Sequence, residues 1–161
     1  FPSQEYFIGN LMDYYIQKGK IDEGLAQMDA VLAKNSTPYF MYVKGVLQYE
    51  KKDYEGAIAT FNQIIAEGKD FVAEAYSKIG DCSFFPAQEI VEENSKLSMD
   101  DPKYAANEAK IKELYEKALP FYEKAKEAKP DNRQLWGQYL LNIYWKLDKE
   151  KYNALEKELG Y

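Results

Sequence analysis

Two amphipathic helical patterns joined by a short polar turn constrain this chain most. Across residues 39–65, YFMYVKGVLQYEKKDYEGAIATFNQII, apolar side chains recur at helical spacing on both sides of Lys51-Lys52-Asp53. Gly45 lies in the first pattern, and Ala57 and Phe61 lie in the second. Small residues let two helix backbones approach closely, and Tyr49, Tyr54, Ile58, Phe61 and Ile65 supply apolar bulk around the contact.

The arrangement recurs along the chain. Tyr6, Ile8, Leu11, Met12, Tyr15 and Ile16 populate one face of a predicted helix over 5–18, and Leu25, Met28, Val31 and Leu32 do so over 22–33. Gly24 takes the place held 33 residues later by Ala57, whereas the place of Gly45 is taken by Met12. Asn35-Ser36-Thr37-Pro38 forms the link. Downstream, Tyr76, Ile79 and Gly80 stand 35 residues after their counterparts. The next matching alanine, Ala118, follows Gly80 by 38 residues instead of the 12 that separate Gly45 from Ala57, and Tyr122 and Pro130 follow it in ALPFYEKAKEAKPDN.

These spacings resemble the tetratricopeptide repeat, a helix-turn-helix unit of roughly 34 residues with a spaced Trp, Leu-Gly, Tyr, Ala, Phe and Pro pattern. The resemblance implies an all-α, right-handed αα-superhelix, a solenoid of about four units in a single domain spanning 1–161. The units fall at about 5–37, 38–70, 71–132 and 133–161, with Trp136 in the last unit's Trp position and a helix over 149–159 capping the stack. The extra 26 residues of the third unit, about 84–110, themselves read as helix, with Asp100-Asp101-Pro102 as a start signal. The expected geometry is a projecting hairpin in which both helices of that unit are prolonged, by about 20 Å at 1.5 Å per residue, with kinks at Pro86 and Pro120. Pro2 falls where a preceding repeat would close and the chain opens on Phe1, so the reading is the C-terminal part of a longer bacterial protein. Export is expected if an upstream leader has been removed.

Composition narrows the function. Net charge is −6 with a single Arg, Arg133, which disfavours nucleic-acid partners, because phosphate recognition needs clustered positive charge. No apolar run of about 18 residues is present, so no membrane span is expected. The sequence has no His, so it offers no His-based acid-base catalysis or metal ligation, and no cofactor is expected. The lone Cys82 reads as a buried small residue, and Asp100-Asp101 as a helix cap instead of a calcium loop. The expectation is a protein that is not an enzyme.

Surface recognition is what remains, with fifteen Tyr in an aromatic content of 16%. In tetratricopeptide arrays the first helices of successive units line a concave groove, and the resemblance places Tyr6, Asp13, Tyr39, Tyr42, Tyr49, Asp81, Phe84, Phe85, Tyr144 and Trp145 along it. Such an aromatic, slightly acidic surface suits a protein or peptide partner. The chaperone-type carboxylate clamp of the family needs Lys, Asn and Arg where this chain has Gly9, Asp13, Val43, Glu74 and Lys78, and only Lys78 fits. Two alternatives stay open: glycan binding in the cell envelope, with Tyr39, Tyr42 and Trp145 as stacking platforms, and self-association through the hairpin.

Overall fold

The computed structural model describes the backbone from residue 2 to residue 161 and side chains from Tyr6 onward. The expectation of an array continuing upstream, drawn from Phe1 and Pro2, lies outside the described side chains. The described residues form eight α-helices and one 3-10 turn, with no strand among them. In order these are α1 (Pro2–Gln17), α2 (Ile21–Leu32), α3 (Pro38–Glu50), α4 (Tyr54–Glu67), α5 (Val72–Asn94), α6 (Pro102–Ala128), the turn Arg133–Leu135, α7 (Gly137–Leu147) and α8 (Lys149–Leu159). They fall into two compact units, Phe1–Lys78 and Ile79–Tyr161, described in turn below.

Unit 1 holds α1 to α4 and the start of α5. Thr37 accepts a hydrogen bond from the Phe40 amide ahead of Pro38 at the first position of α3, and Asp53 accepts from the Gly56 amide to start α4. Gly68 closes α4 in the left-handed region, φ 63°, where a Cβ would be strained. Ile8, Met12, Met28, Phe40, Val43 and Leu47 make the core. Gly45 shows why the sequence places a small residue in α3: a Cβ built there would meet three atoms of the buried Phe61 ring at 2.5–3.0 Å.

Unit 2 repeats that contact with other residues. A Cβ on Gly80 would meet the Tyr122 ring at 2.8–3.0 Å. The α5 and α6 segments run antiparallel, since Gly80 faces Tyr122, Phe84 stacks on Tyr115 (5.6 Å between ring centroids), and Asn94 reaches the Tyr104 carbonyl and Glu108. With 23 and 27 residues, α5 and α6 are far longer than α3 and α4, at 13 and 14. Neither Pro86 nor Pro120 ends its helix, and α6 starts with Asp101 accepting from the Lys103 amide ahead of Pro102.

The fourth helical pattern departs from its expected start at Arg133. Residues Arg133–Leu135 make a 3-10 turn, Trp136 leaves helical geometry at φ −147°, and α7 begins only at Gly137. The Trp136 side chain explains the delay: its ring is 1% exposed and its indole N–H donates to the Lys129 carbonyl at 3.3 Å. Burying the ring and satisfying its donor outweighs one more turn of helix at a terminus. Asp148 then serves as the last cap of α7 and the first of α8, accepting from the Glu150 and Lys151 amides.

Candidate functional site

In unit 1, α1 and α3 leave a cleft of about 240 Å³ between them. Met12, Ile16, Val43, Val46 and Leu47 give it apolar walls, Tyr39 and Tyr42 add aromatic surface, and Asp13 is its charged lining residue. Helical periodicity builds this lining, because positions three and four apart on α1 and α3 fall on one stripe. Gly9 belongs to the same wall, and its missing side chain leaves room for the Tyr39 hydroxyl, which would stand 2.7 Å from a Cβ there. Behind the tyrosines lies Phe71, at φ 65°, a conformation uncommon for a bulky residue. Its ring is held against Tyr42 (5.4 Å, stacked) and Tyr39 (5.8 Å), so aromatic packing compensates the backbone strain and fixes both tyrosines.

In unit 2, α5, α6 and α7 surround a second cavity of about 500 Å³. Val91, Leu97, Met99 and Trp145 give it apolar and aromatic lining, and Gln88, Asn94, Glu108, Asn142 and Lys146 give it polar lining. Glu108 and Lys146 form an ion pair. The exposed indole of Trp145 carries the Lys149 ammonium 3.6 Å from its centroid and meets Tyr152 edge-on at 5.1 Å.

The residues proposed from sequence separate into three groups. Asp13, Tyr39 and Tyr42 come together in the unit 1 cleft. Tyr6 and Phe85 are exposed outside either cavity, Tyr49 is half-buried beneath Lys78 at 5.3 Å, and Trp145 belongs to the unit 2 cavity. Asp81, Phe84 and Tyr144 are buried in the packing of unit 2, with 2%, 4% and 8% exposure. Asp81 accepts a hydrogen bond from the Tyr122 hydroxyl at 2.7 Å, Phe84 sits among Tyr115, Tyr122 and Tyr139, and the Tyr144 hydroxyl donates to Glu123 at 2.7 Å. Cys82 is buried, in line with its reading as a packed small residue.

Met12 and Ile16 read in the sequence as ordinary core positions, and Val46 carries no signal of its own, so none of the three was legible as lining. Nor were Asn94, Glu108 and Asn142. The uncharged Asn94 that follows Glu92-Glu93 was the available signal, yet its partners, Tyr104 and Glu108, lie on another helix, α6.

Burial gives unit 2 an alkaline signature. Desolvation, reinforced by the hydrogen bond and charge of Glu123, pushes the Tyr144 phenol well above the usual tyrosine range. Burial also raises Tyr115, against the opposing effect of its hydrogen bond from Gln88. A folded value above the unfolded one of about 10 favours the neutral phenol, so this stability is fully present below that pH and is lost as pH rises through the folded value. Phenolate absorbance during alkaline titration should therefore show a late component that coincides with loss of helicity and shrinks in Tyr144→Phe. An unchanged curve in that variant counts against the assignment.

A chain built wholly of paired helices, with small residues under aromatic rings and clefts between the helices, belongs to the class of helical-repeat proteins. Residues 10–70 match the family described as Tetratricopeptide repeat, so this segment, which lies within unit 1, carries tetratricopeptide repeats. Neither curated proteins nor solved structures gave a match to the chain. Tetratricopeptide repeats mediate protein–protein interaction and are typically non-enzymatic scaffolds. No described helix is long and apolar enough to cross a membrane, and no cluster of candidate metal ligands occurs among the described residues.

Proposed function

We propose that the chain is a non-enzymatic scaffold that holds a protein partner by seating an extended or helical peptide segment in the unit 1 cleft. The observation that carries this reading is the convergence of Asp13, Tyr39 and Tyr42 on one apolar trough inside the segment that matches the repeat family. Tyr rings give large contact area with few rotatable bonds, and the apolar floor accepts side chains of the partner. Asp13 is exposed at the cleft, so it favours a segment carrying Lys or Arg beside its apolar anchors. The same carboxylate opposes a terminal carboxylate in this cleft.

Peptide display against the full chain tests the reading. Selected peptides should share an apolar or aromatic anchor next to a basic residue, and Asp13→Lys should weaken them about three- to fivefold, roughly 1 kcal/mol or less for an exposed charge pair. Asp13 is exposed, so the substitution leaves the fold intact by circular dichroism. Failure to select peptides above background, or equal binding to the variant, would sink the proposal.

A further inference from the structure

We infer that the unit 2 cavity is a second binding site, one that takes a neutral carbohydrate of one or two sugar rings. Its lining carries one acid and one base, Glu108 and Lys146, and they are paired with each other, so the cavity asks for no net charge in its ligand. Asn94 lies at its wall, 4% exposed, with both amide hydrogens engaged by the Tyr104 carbonyl and Glu108 and with its Oδ1 lacking any partner. A buried acceptor in that condition is costly and calls for a donor.

The neighbouring amides add neutral hydrogen-bonding groups to the same cavity. Gln88 donates to the Tyr115 hydroxyl and Asn142 to the Gln138 carbonyl, and each amide keeps an oxygen acceptor and a second N–H, so beside the paired charges the lining offers neutral groups that both accept and donate. Hydroxyl groups satisfy such a set without bringing charge. A cation, by contrast, meets Lys146.

Trp145 supplies the remaining element. It is 62% exposed and lines the cavity, with the Lys149 ammonium over its indole and Tyr152 edge-on to it. A sugar ring has an apolar C–H face that fits an aromatic plane and an edge of hydroxyls that fits acceptors. A volume of about 500 Å³ lies within the range of small-ligand sites.

The two tryptophans make the test direct, because Trp136 is 1% exposed and Trp145 is the one open to a quencher. Acrylamide quenching is followed with cellobiose, maltose, xylobiose and chitobiose at millimolar concentration, beside the tripeptides Ala-Asn-Ala and Ala-Lys-Ala. At least one disaccharide should protect Trp145. By calorimetry its affinity should fall at least about tenfold in Trp145→Ala and be partly kept in Trp145→Phe. Asn94→Leu should abolish binding. Because Asn94 is buried, Asn142→Ala, at a half-buried position, gives the same reading by a weaker loss if the first variant fails to fold. Asp13→Lys should leave sugar binding unchanged, which separates this site from the unit 1 cleft. Protection by no disaccharide, protection by the tripeptides alone, or sugar binding that survives Trp145→Ala overturns the inference.

Discussion

Truncating Tyr122 to Ala should destabilise the protein by about 3–5 kcal/mol, a large share of the roughly 5–15 kcal/mol typical of a folded domain. The residue is completely buried and has a neighbour on every side. Its ring stacks on Tyr139 at 4.6 Å with planes 6° apart, meets Phe84 edge-on at 5.9 Å, and fills the space left by Gly80. Removing it opens a cavity among rigid rings that cannot collapse cheaply, and withdraws a donor from the buried Asp81 carboxylate. Tyr122→Phe separates the two contributions: it keeps the ring and should cost about 1–3 kcal/mol through Asp81 alone. Urea unfolding of both variants decides the matter. A loss below about 1 kcal/mol in the Ala variant would mean that the cluster does not depend on the ring.

Gly45→Val should cost about 3 kcal/mol by the opposite route, overpacking. The new Cβ would stand 2.5 Å from Phe61 Cε1 and 2.7 Å from its Cζ, and the ring is fully buried and cannot swing clear. Gly45→Ala is the informative companion, because alanine gains about 1 kcal/mol of helix propensity while still meeting the ring, so its net loss should be smaller. Pairing Gly45→Ala with Phe61→Leu relieves the clash and should show a favourable coupling of at least about 0.5 kcal/mol in a double-mutant cycle. Strict additivity of the two substitutions would show that the glycine is not there to admit the ring.

These two contacts were legible before the fold was known, because they depend on the identity of residues at repeating distances. Gly45 and Phe61, and then Gly80 and Tyr122, stand out as a small residue and a ring in corresponding places. The helices were legible for a similar reason: their starts at Pro38, Tyr54, Pro102 and Lys149 follow a capping Thr or Asp. What local spacing lacks is the angular position of a neighbour. Asp81 and Phe84 lie one turn apart on α5, and whether that stripe meets solvent or another helix depends on α6 lying against it. The break at Trp136 has the same origin, since the carbonyl that receives its indole N–H belongs to the preceding connection. Of the candidate sites, the unit 1 cleft was partly legible because both walls follow one periodicity. The unit 2 cavity was not, because Asn94, Glu108 and Asn142 come from three helices with no shared register.

The joints between helices bear on how such a chain can change over generations. A single residue, Asp148, ends α7 and begins α8, so an insertion there would cost one helix its last turn or the other its cap. Residues 95–100, between α5 and the Asp101 cap of α6, carry no such double duty, and they supply Ser95, Leu97 and Met99 to the lining of the unit 2 cavity. Lengthening or rewriting that joint would remodel the mouth of the cavity while the helices beneath kept their seats. Novelty in this architecture can therefore be gathered at one bend, leaving the scaffold to be inherited unchanged.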